Sequence, residues 1–374
     1  MVIPGNISRR DALAMLMAGG FVLADGALAR AAPSSSLAAL ATSKGLRFGS
    51  AVSAFAGGFT DPEIAEILIR ECNLIVPENE LKIYVVQKDE GHYNFEPADQ
   101  ILAFCNSNHI AMRGHTLLWA KDQYNPAWLL NHDFGADPGI ASEKFIRNYI
   151  TRVVTHYGTT LTSWDVVNEA VDETTGELRD GIYTKYLGID ALRIAYQLVR
   201  ELLPSTRLVY NDFMSWEAGN EQHRAGVIKL LRWFRDNKVP VDALGVQSHL
   251  NVVTDPVKIQ PEEWKKFLDE VTGMGYDLLI TELDVNDRKI ASGDHDERDA
   301  AVAQTTREYL DQMLDYKQLK EVLVWGMCDR YNWLRSFVHR ADGLPVRPTI
   351  YDENFQPKPM RHAIAAAFKA AAKR

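Results

Sequence analysis

The feature that most constrains the fold is a repeated alternation of short apolar strands with amphipathic segments. Between the strands, apolar residues recur at intervals of three and four, which is the helical period. The predicted strands are Phe48–Val52, Leu74–Val76, Ala111–Leu118, Ser163–Val167, Arg207–Tyr210, Ala243–Gln247, Leu278–Thr281 and Glu321–Trp325. The predicted helices include Asp61–Cys72, Asp99–Asn108, Ser142–His156, Gly188–Leu203, Glu217–Asn237, Pro261–Met274 and Asp296–Asp315. Eight strand–helix units predict an α/β fold, a closed (β/α)8 TIM barrel.

A doubly wound open sheet has a similar alternation, and the placement of polar residues separates the two folds. A barrel gathers all of its strand ends into one pocket, whereas an open sheet uses its switch point. Polar or indole side chains follow seven predicted strands, namely Glu78, Asn79, Lys82, His115, Trp119, Asn168, Glu169, Asn211, Asp212, Gln247, His249, Glu282, Asp284, Trp325 and Trp333. No Gly-rich phosphate loop follows the first strand, since Gly57-Gly58 lack its spacing. The barrel is therefore favoured.

Three segments divide the chain. Residues 1–32 have the composition of a bacterial export signal, with Arg9-Arg10 favouring the twin-arginine route, so a periplasmic or secreted protein is expected. Residues 33–43 are predicted to be a small-residue linker, and residues 44–370 the barrel, a single catalytic domain. The sequence predicts no membrane span and a monomer.

Composition excludes several kinds of partner. The net charge of −9 argues against nucleic acid and against an anionic membrane surface, while neutral substrates are unaffected. Cys72, Cys105 and Cys328 form no C-x-x-C pair, which favours buried thiols over a disulfide framework or zinc site. A Cys72–Cys105 bridge stays possible on sequence grounds. No metal and no cofactor are predicted.

Two glutamates stand at the carboxyl ends of apolar strands. Glu169 ends the run L-T-S-W-D-V-V-N-E, and Glu282 ends L-L-I-T-E. A matched pair of carboxyl groups across a pocket is what hydrolysis of a glycosidic bond requires. Asp165, inside its strand, is interpreted as a buried, hydrogen-bonded carboxylate behind the site.

The strand-end sequences resemble those of family 10 glycoside hydrolases, the endo-β-1,4-xylanases. The matching stretches are V-P-E-N-E-L-K, R-G-H-T-L-L-W, W-D-V-V-N-E-A, Y-N-D-F, G-V-Q-S-H-L, I-T-E-L-D-V, V-W-G-M-x-D-x-Y-N-W and P-T-I-Y-D-E-N-F-Q-P-K-P. All occur in order between about Gly45 and Ala365, and their order is far more specific than any one of them. The resemblance implies a retaining enzyme that cleaves internal bonds of xylan or xylo-oligosaccharides.

The resemblance also implies roles for individual residues. Glu169 is the expected acid/base and Glu282 the expected nucleophile, which agrees with their positions at strand ends. Supporting roles are expected for His249, Asp284, Asn168 and Asp212. Sugar contacts are expected from Glu78, Asn79, Lys82, His115, Trp119, Gln247, Trp325 and Trp333, whose indole rings suit the apolar C–H faces of a pyranose. Glu282 is expected to stay ionised, hydrogen-bonded by His249, while Asp284 orients that imidazole.

One stretch departs from the family pattern. A His usually follows the third-strand Trp, and Ser-Gln come next; here the run is Trp119-Ala120-Lys121-Asp122, in a longer loop that reaches Pro126. Ala120 cannot donate a side-chain hydrogen bond. The fine specificity and the pH optimum of the family therefore do not carry over to this chain, whereas the type of reaction does.

Three alternatives remain at this stage. The same chemistry could act on β-1,4-glucan or on short aryl glycosides. A sugar-binding barrel without activity is a different class, but such a protein typically lacks one carboxylate, and both are present. A metal-dependent hydrolase is disfavoured because no His-x-His follows the first strand.

Overall fold

The computed structural model describes residues 36–55, 57–254 and 257–374. The strands are β1 (Arg47–Val52), β2 (Leu74–Pro77), β3 (Ala111–Met112), β4 (Gly114–Trp119), β5 (Ser163–Asn168), β6 (Arg207–Asp212), β7 (Ala243–Val246), β8 (His249–Asn251), β9 (Asp277–Asn286) and β10 (Leu319–Val324). The α-helices are Leu37–Ser43, Pro62–Glu71, Ile83–Val86, Glu96–Ser107, Ala127–Leu130, Pro138–Tyr157, Asp190–Leu202, Glu221–Asp236, Pro261–Gly273, His295–Leu314, Leu334–Phe337 and Pro359–Ala370.

Nine parallel strands form a nearly closed barrel. They run in the order β3-β2-β1-β10-β9-β7-β6-β5-β4, and β8 pairs with β9 beside this path. Since β3 and β4 are separated only by Arg113, together they make the third of eight barrel positions. The prediction of a (β/α)8 barrel is confirmed. Seven strands match within two residues at each end, whereas β9 extends five residues beyond its prediction.

Alternate strand residues pack into two separate layers. Leu74 and Val76 of β2 cluster with Leu323 of β10, whereas Ile75, between them, belongs to the larger core that includes the helices. This period of two follows from strand geometry, in which successive side chains point to opposite faces. The inward-facing side chains at the carboxyl ends of the strands therefore face the pocket.

The prediction of a linker at residues 33–43 is wrong for residues 36–43, the part that the structure describes. Leu37–Ser43 form a helix capped by Ser36, and Ala41 is completely buried. The Leu37 backbone N–H donates to Glu71 Oε2 at 3.0 Å, which fixes this helix to the barrel. Small residues suggested a linker, but Ala and Leu are strong helix formers when they can pack. The predicted export signal, 1–32, lies outside the described residues.

All three cysteines are free, buried thiols, so the possible Cys72–Cys105 bridge is absent. Within the described ranges, no helix is long and apolar enough to cross a membrane.

Candidate active site

Register irregularities turn the strand-end side chains into the pocket. The pairing of β4 with β5 shifts between His115 and Leu118, and that of β5 with β6 shifts between Asp165 and Val167. A third shift, between β9 and β10, occurs just before Leu283 on β9. An irregularity of this kind re-aims the residues that follow it. It explains why consecutive residues at these strand ends both reach the site.

Glu169 is held by its own backbone at the lip of β5. Its φ of 56° lies in the left-handed region, which is uncommon for a residue with a side chain. The Glu169 N–H donates to Asn211 O at 2.9 Å, and Arg179 Nε donates to Glu169 O at 3.1 Å. These two bonds fix the turn that points the carboxyl group into the pocket.

The Glu282 carboxylate is surrounded by hydrogen-bond donors. Asn211 Nδ2 donates to its Oε1 at 2.7 Å, and His249 Nε2 lies 3.2 Å from its Oε2. His249 Nδ1 lies 3.1 Å from Asp284 Oδ1, while Trp333 Nε1 donates to Asp284 Oδ2 at 2.8 Å. His249 therefore lies between the carboxyl groups of Glu282 and Asp284.

Electrostatics keep His249 and Glu282 charged. Burial would lower the pKa of His249, but Asp284 and Glu282 outweigh it and raise that pKa to about 10. Burial would likewise raise the pKa of Glu282, yet the His249 hydrogen bond, aided by His115 and Lys82, lowers it to about 2. Glu282 is thus ionised at neutral pH, as a nucleophile must be.

The Glu169 carboxyl group has different partners on its two oxygens. Its Oε1 accepts from Asn168 Nδ2 at 3.0 Å and from Gln247 Nε2 at 2.9 Å. Its Oε2 lies 3.2 Å from Lys121 Nζ. Asn168 was expected to support catalysis and Gln247 to contact sugar; in this structure both amides orient Glu169.

Two amides connect the glutamates. Asn211 Nδ2 donates to Asn168 Oδ1 at 2.9 Å as well as to Glu282, and Asn168 donates to Glu169. Thr281 Oγ1 donates to Asn211 Oδ1 at 2.7 Å, which fixes that amide's orientation. Asn211 was recognised only as a strand-end residue, and no role was assigned to it.

Asp165 and His115 form the support behind the pocket. Asp165 is fully buried and binds the Arg113 guanidinium. Its other oxygen lies 2.8 Å from His115 Nδ1. This contact leaves His115 Nε2 as the ring nitrogen that we expect to contact sugar.

Asp212 is more remote from Glu169 than expected. Its carboxylate accepts from the Tyr210 hydroxyl, and His223 Nε2 lies 3.0 Å away. The Tyr210 hydroxyl in turn accepts the backbone N–H of Ala170 at 3.2 Å. Asp212 therefore reaches Glu169 through the neighbouring backbone rather than by direct contact.

The candidate sugar-binding side chains line the same end of the barrel. Lys82 Nζ lies 4.5 Å from the Trp119 ring centroid and 5.7 Å from that of Trp325. Burial lowers the pKa of Lys82 and raises that of Glu78, the acid in the same loop. Asn79, next to Glu78, accepts from the Tyr84 hydroxyl at 2.6 Å.

The aromatic residues are fixed by their neighbours. Trp119 stacks on Tyr124 with centroids 3.9 Å apart. Trp325 is 6% exposed and lies edge-on to His115 at 5.4 Å, so it belongs largely to the core, whereas Trp333 is half-buried. Trp119 and Trp333 are therefore more exposed than Trp325.

The described residues contain no group of three or more His, Cys, Asp or Glu side chains that could hold a metal ion.

Comparisons with known proteins agree on the family. The family model "Glycosyl hydrolase family 10" matches residues 36–367. The chain is 29% identical to endo-1,4-beta-xylanase B of Thermotoga neapolitana, over 80% of this chain and 81% of that protein. It is 30% identical to a thermostable celloxylanase of Thermoclostridium stercorarium, over 82% of each. Xylanase 10B of Thermotoga petrophila, solved with xylobiose, superposes with a TM-score of 0.79 at 27% identity and covers 89% of this chain and 97% of that one.

Proposed function

The chain belongs to glycosyl hydrolase family 10, and we propose that it hydrolyses internal β-1,4-xylosidic bonds of xylan with retention of anomeric configuration. The observation that carries this proposal is the asymmetric carboxyl pair. Glu282 is ionised beside a charged His249, and Glu169 lies across the Asn168–Asn211 amides from it. Relatives named xylanases, one of them crystallised with xylobiose, support the substrate class.

The proposed reaction has two steps. In the first, an oxygen of Glu282 forms a bond to the anomeric carbon as the glycosidic C–O bond breaks, and Glu169 gives its proton to the departing oxygen. In the second, Glu169 takes a proton from water, which attacks the anomeric carbon and releases Glu282. This mechanism requires carboxyl groups about 5–5.5 Å apart, because no water lies between them during the first step.

The remaining side chains have proposed roles in binding. Asn168 would bind the 2-hydroxyl beside the scissile bond, a contact that strengthens in the transition state. Gln247, His115 and Lys82 would donate to further hydroxyls, and Glu78 and Asn79 would hold the next sugar. Trp119, Trp325 and Trp333 would wall the pocket.

The test follows the anomeric configuration of the first product by NMR during hydrolysis of a xylo-oligosaccharide. Retention gives the β-anomer first, and its later mutarotation is slow enough to observe. An α-anomer as the first product would rule out the double displacement. Early release of products of mixed length from soluble xylan would support internal cleavage, whereas release of one short product would contradict it.

A β-1,4-glucan is the second candidate substrate, because one relative is named a celloxylanase. The rates on xylan and on carboxymethylcellulose, measured with the same preparation, discriminate between them. We expect xylan to be the better substrate, and we propose that Trp325 and Trp333 exclude the extra hydroxymethyl group that glucose carries.

We also propose that the protein is exported by the twin-arginine route, on the evidence of Arg9-Arg10 and the small and apolar residues that follow. Replacing both arginines with lysine should leave the protein in the cytoplasm. Unchanged export of that variant would contradict the route.

A further inference from the structure

Lys121 occupies the stretch in which the chain departs from its family's sequence pattern. Its Nζ lies 3.2 Å from Glu169 Oε2, with 21% of the Lys121 side chain and 8% of the Glu169 side chain exposed. The ammonium also lies 4.1 Å from the centroid of the Phe213 ring. An ammonium between a carboxyl group and an aromatic face is in a favourable position for both.

The loop that carries Lys121 is anchored on both sides. Asn125 Nδ2 donates to Lys121 O at 3.0 Å, and the Tyr183 hydroxyl donates to Asn125 Oδ1 at 2.6 Å. Asp122 Oδ1 accepts the Ile182 N–H at 2.8 Å. The Lys121 backbone is therefore fixed to the loop that follows β5. Glu169 is the first residue of that loop.

The hydrogen bonds identify the oxygen of Glu169 that moves the proton. Oε1 accepts N–H bonds from Asn168 and Gln247, and two such bonds occupy the lone pairs of a carboxyl oxygen. A proton on Glu169 is therefore carried by Oε2, which is the oxygen that Lys121 contacts.

We propose that Lys121 is a positioning residue for the acid/base chemistry, which acts by stabilising the negative charge on Oε2 of Glu169. The inference rests on the proposed function and names a contributor to the same site that the family resemblance does not supply.

The two steps should respond to Lys121 in opposite directions. In the first step the Oε2–H bond breaks, the proton joins the departing glycosidic oxygen, and Glu169 gains a negative charge that the ammonium stabilises. In the second step Glu169 receives a proton from water and loses that charge, so the same ammonium opposes the step. Lys121 therefore favours glycosylation of Glu282 at some expense to deglycosylation.

Other charges near Glu169 have different main partners. Arg179 binds the Glu169 backbone oxygen and pairs with Asp172 and Glu173. Lys82 interacts with Glu282 and Glu78 more strongly than with Glu169. Lys121 is the cation in direct contact with Oε2.

The experiment measures each step separately in Lys121→Met and Lys121→Arg, at the pH where wild-type activity is maximal. Glycosylation is followed as kcat/KM on xylohexaose, whose leaving group needs the acid. Deglycosylation is followed as kcat on 2,4-dinitrophenyl β-xylobioside, after a burst of dinitrophenolate confirms that the second step limits turnover. The matched control is Lys185→Met, since Lys185 is exposed and lies over Tyr186, 5.1 Å from its ring centroid.

Lys121→Met should lower kcat/KM on xylohexaose on the order of tenfold, somewhat less than the loss of a buried oxyanion donor. It should leave kcat on the aryl glycoside unchanged or raised. Lys121→Arg should stay within about threefold of wild type on both, because the guanidinium keeps the charge, and Lys185→Met should match wild type.

Equal losses on the two substrates would show that Lys121 is merely structural and would overturn the proposal, as would no loss on xylohexaose. The proposed function fails by a different result, namely a wild-type protein that does not hydrolyse xylohexaose.

Discussion

Two groups of charged side chains lie at the carboxyl ends of the barrel strands, and they differ in burial and in how their charges are paired. In the first group, called here the ion network, the members are Asp287, Arg298, Asp299, Asp329, Arg347 and Lys358. Three carboxylates face three cations, and all six side chains are buried. The second group is the catalytic pocket, with Lys82, Lys121 and His249 facing Glu78, Glu169, Glu282 and Asp284.

The ion network is paired throughout. Arg347 binds both oxygens of Asp299, at 3.0 and 2.7 Å, and Lys358 Nζ lies 2.8 Å from Asp329 and 3.1 Å from Asp299. Arg298 Nε donates to Asp287 Oδ2 at 2.6 Å. These pairs fasten the loop after β10 to the helix His295–Leu314.

In the catalytic pocket four acids face three cationic side chains, and neutral amides supply further donors. Glu169 and Glu282 are joined through neutral amides, and each keeps an oxygen close to a single cationic side chain. Burial of charge is therefore a poor sign of function by itself, since both groups have it. The informative difference is that the pocket's acids are left able to exchange a proton or form a bond.

The largest expected effect is the loss of Glu282, the proposed nucleophile. Glu282→Ala should lower kcat on xylan and on aryl xylosides alike by on the order of 10⁵-fold, because no other group can form the ester. Glu353→Ala, which removes a partly exposed acid that pairs with Arg347, is the matched control and should keep its activity. Comparable losses of kcat in the two variants would mean that the acids of the catalytic pocket and those around the ion network do not differ in function.

Glu169, the proposed acid/base, should behave differently from Glu282. Glu169→Ala should lower kcat/KM on xylan by roughly 10²–10⁴-fold, the usual contribution of general acid–base catalysis. Glycosylation by an aryl glycoside with a good leaving group needs no acid, so its kcat/KM should fall far less, and added azide should restore turnover by replacing water. Equal losses on the two substrates, with no azide effect, would contradict the assigned role.

Changes in the ion network should affect stability rather than chemistry. Arg347→Met leaves Asp299 with one cation fewer, and breaking a buried pair costs about 3–5 kcal/mol. Urea unfolding should show this loss, whereas kcat per folded molecule should stay within a few-fold of wild type. Lys229→Ala, which breaks an exposed pair with Glu177, should change the free energy of unfolding by less than about 1 kcal/mol. A similar stability loss in both variants would mean that burial does not distinguish the pairs.

The sequence was informative where local pattern decides the structure. An apolar run that stops at a polar residue marks a strand end, and this rule placed Glu169, which directly follows β5, at the pocket. Glu282 was also found, although it lies within the long strand β9 rather than past its end. Its exposure to the pocket depends on the register shift before Leu283 and on pairing with β8, which are contacts between distant segments.

The contact of Lys121 with Glu169 could not be predicted from the same pattern. The direction of the Lys121 side chain depends on hydrogen bonds from the loop after β5, about sixty residues later in the chain. The sequence Trp119-Ala120-Lys121 visibly departs from the family pattern, but the departure alone does not show which residue Lys121 contacts. The ion network was missed for a related reason, since its acids and bases come from separate segments that only the fold brings together.

The smallest expected effect is a shift of the acid limb of the pH profile, and it tests the charge of the His249 imidazole. Because the pKa of Glu282 is about 2, below its ordinary value of 4.5, its ionised form persists far into the acid range. The stability it contributes is present above pH 4.5 and is lost as the pH falls towards 2. His249→Asn keeps a neutral hydrogen-bond donor but removes the charge, so burial should raise the pKa of Glu282 by about one unit.

The acid limb of kcat/KM against pH reports this ionisation in the free enzyme, so in His249→Asn it should move to higher pH. His156→Asn is the control, because His156 is a partly exposed surface residue paired with Asp99, and its acid limb should stay in place. A lower plateau with an unmoved limb would mean that His249 acts by geometry alone. A moved limb would show that the positive charge of His249 keeps Glu282 ionised.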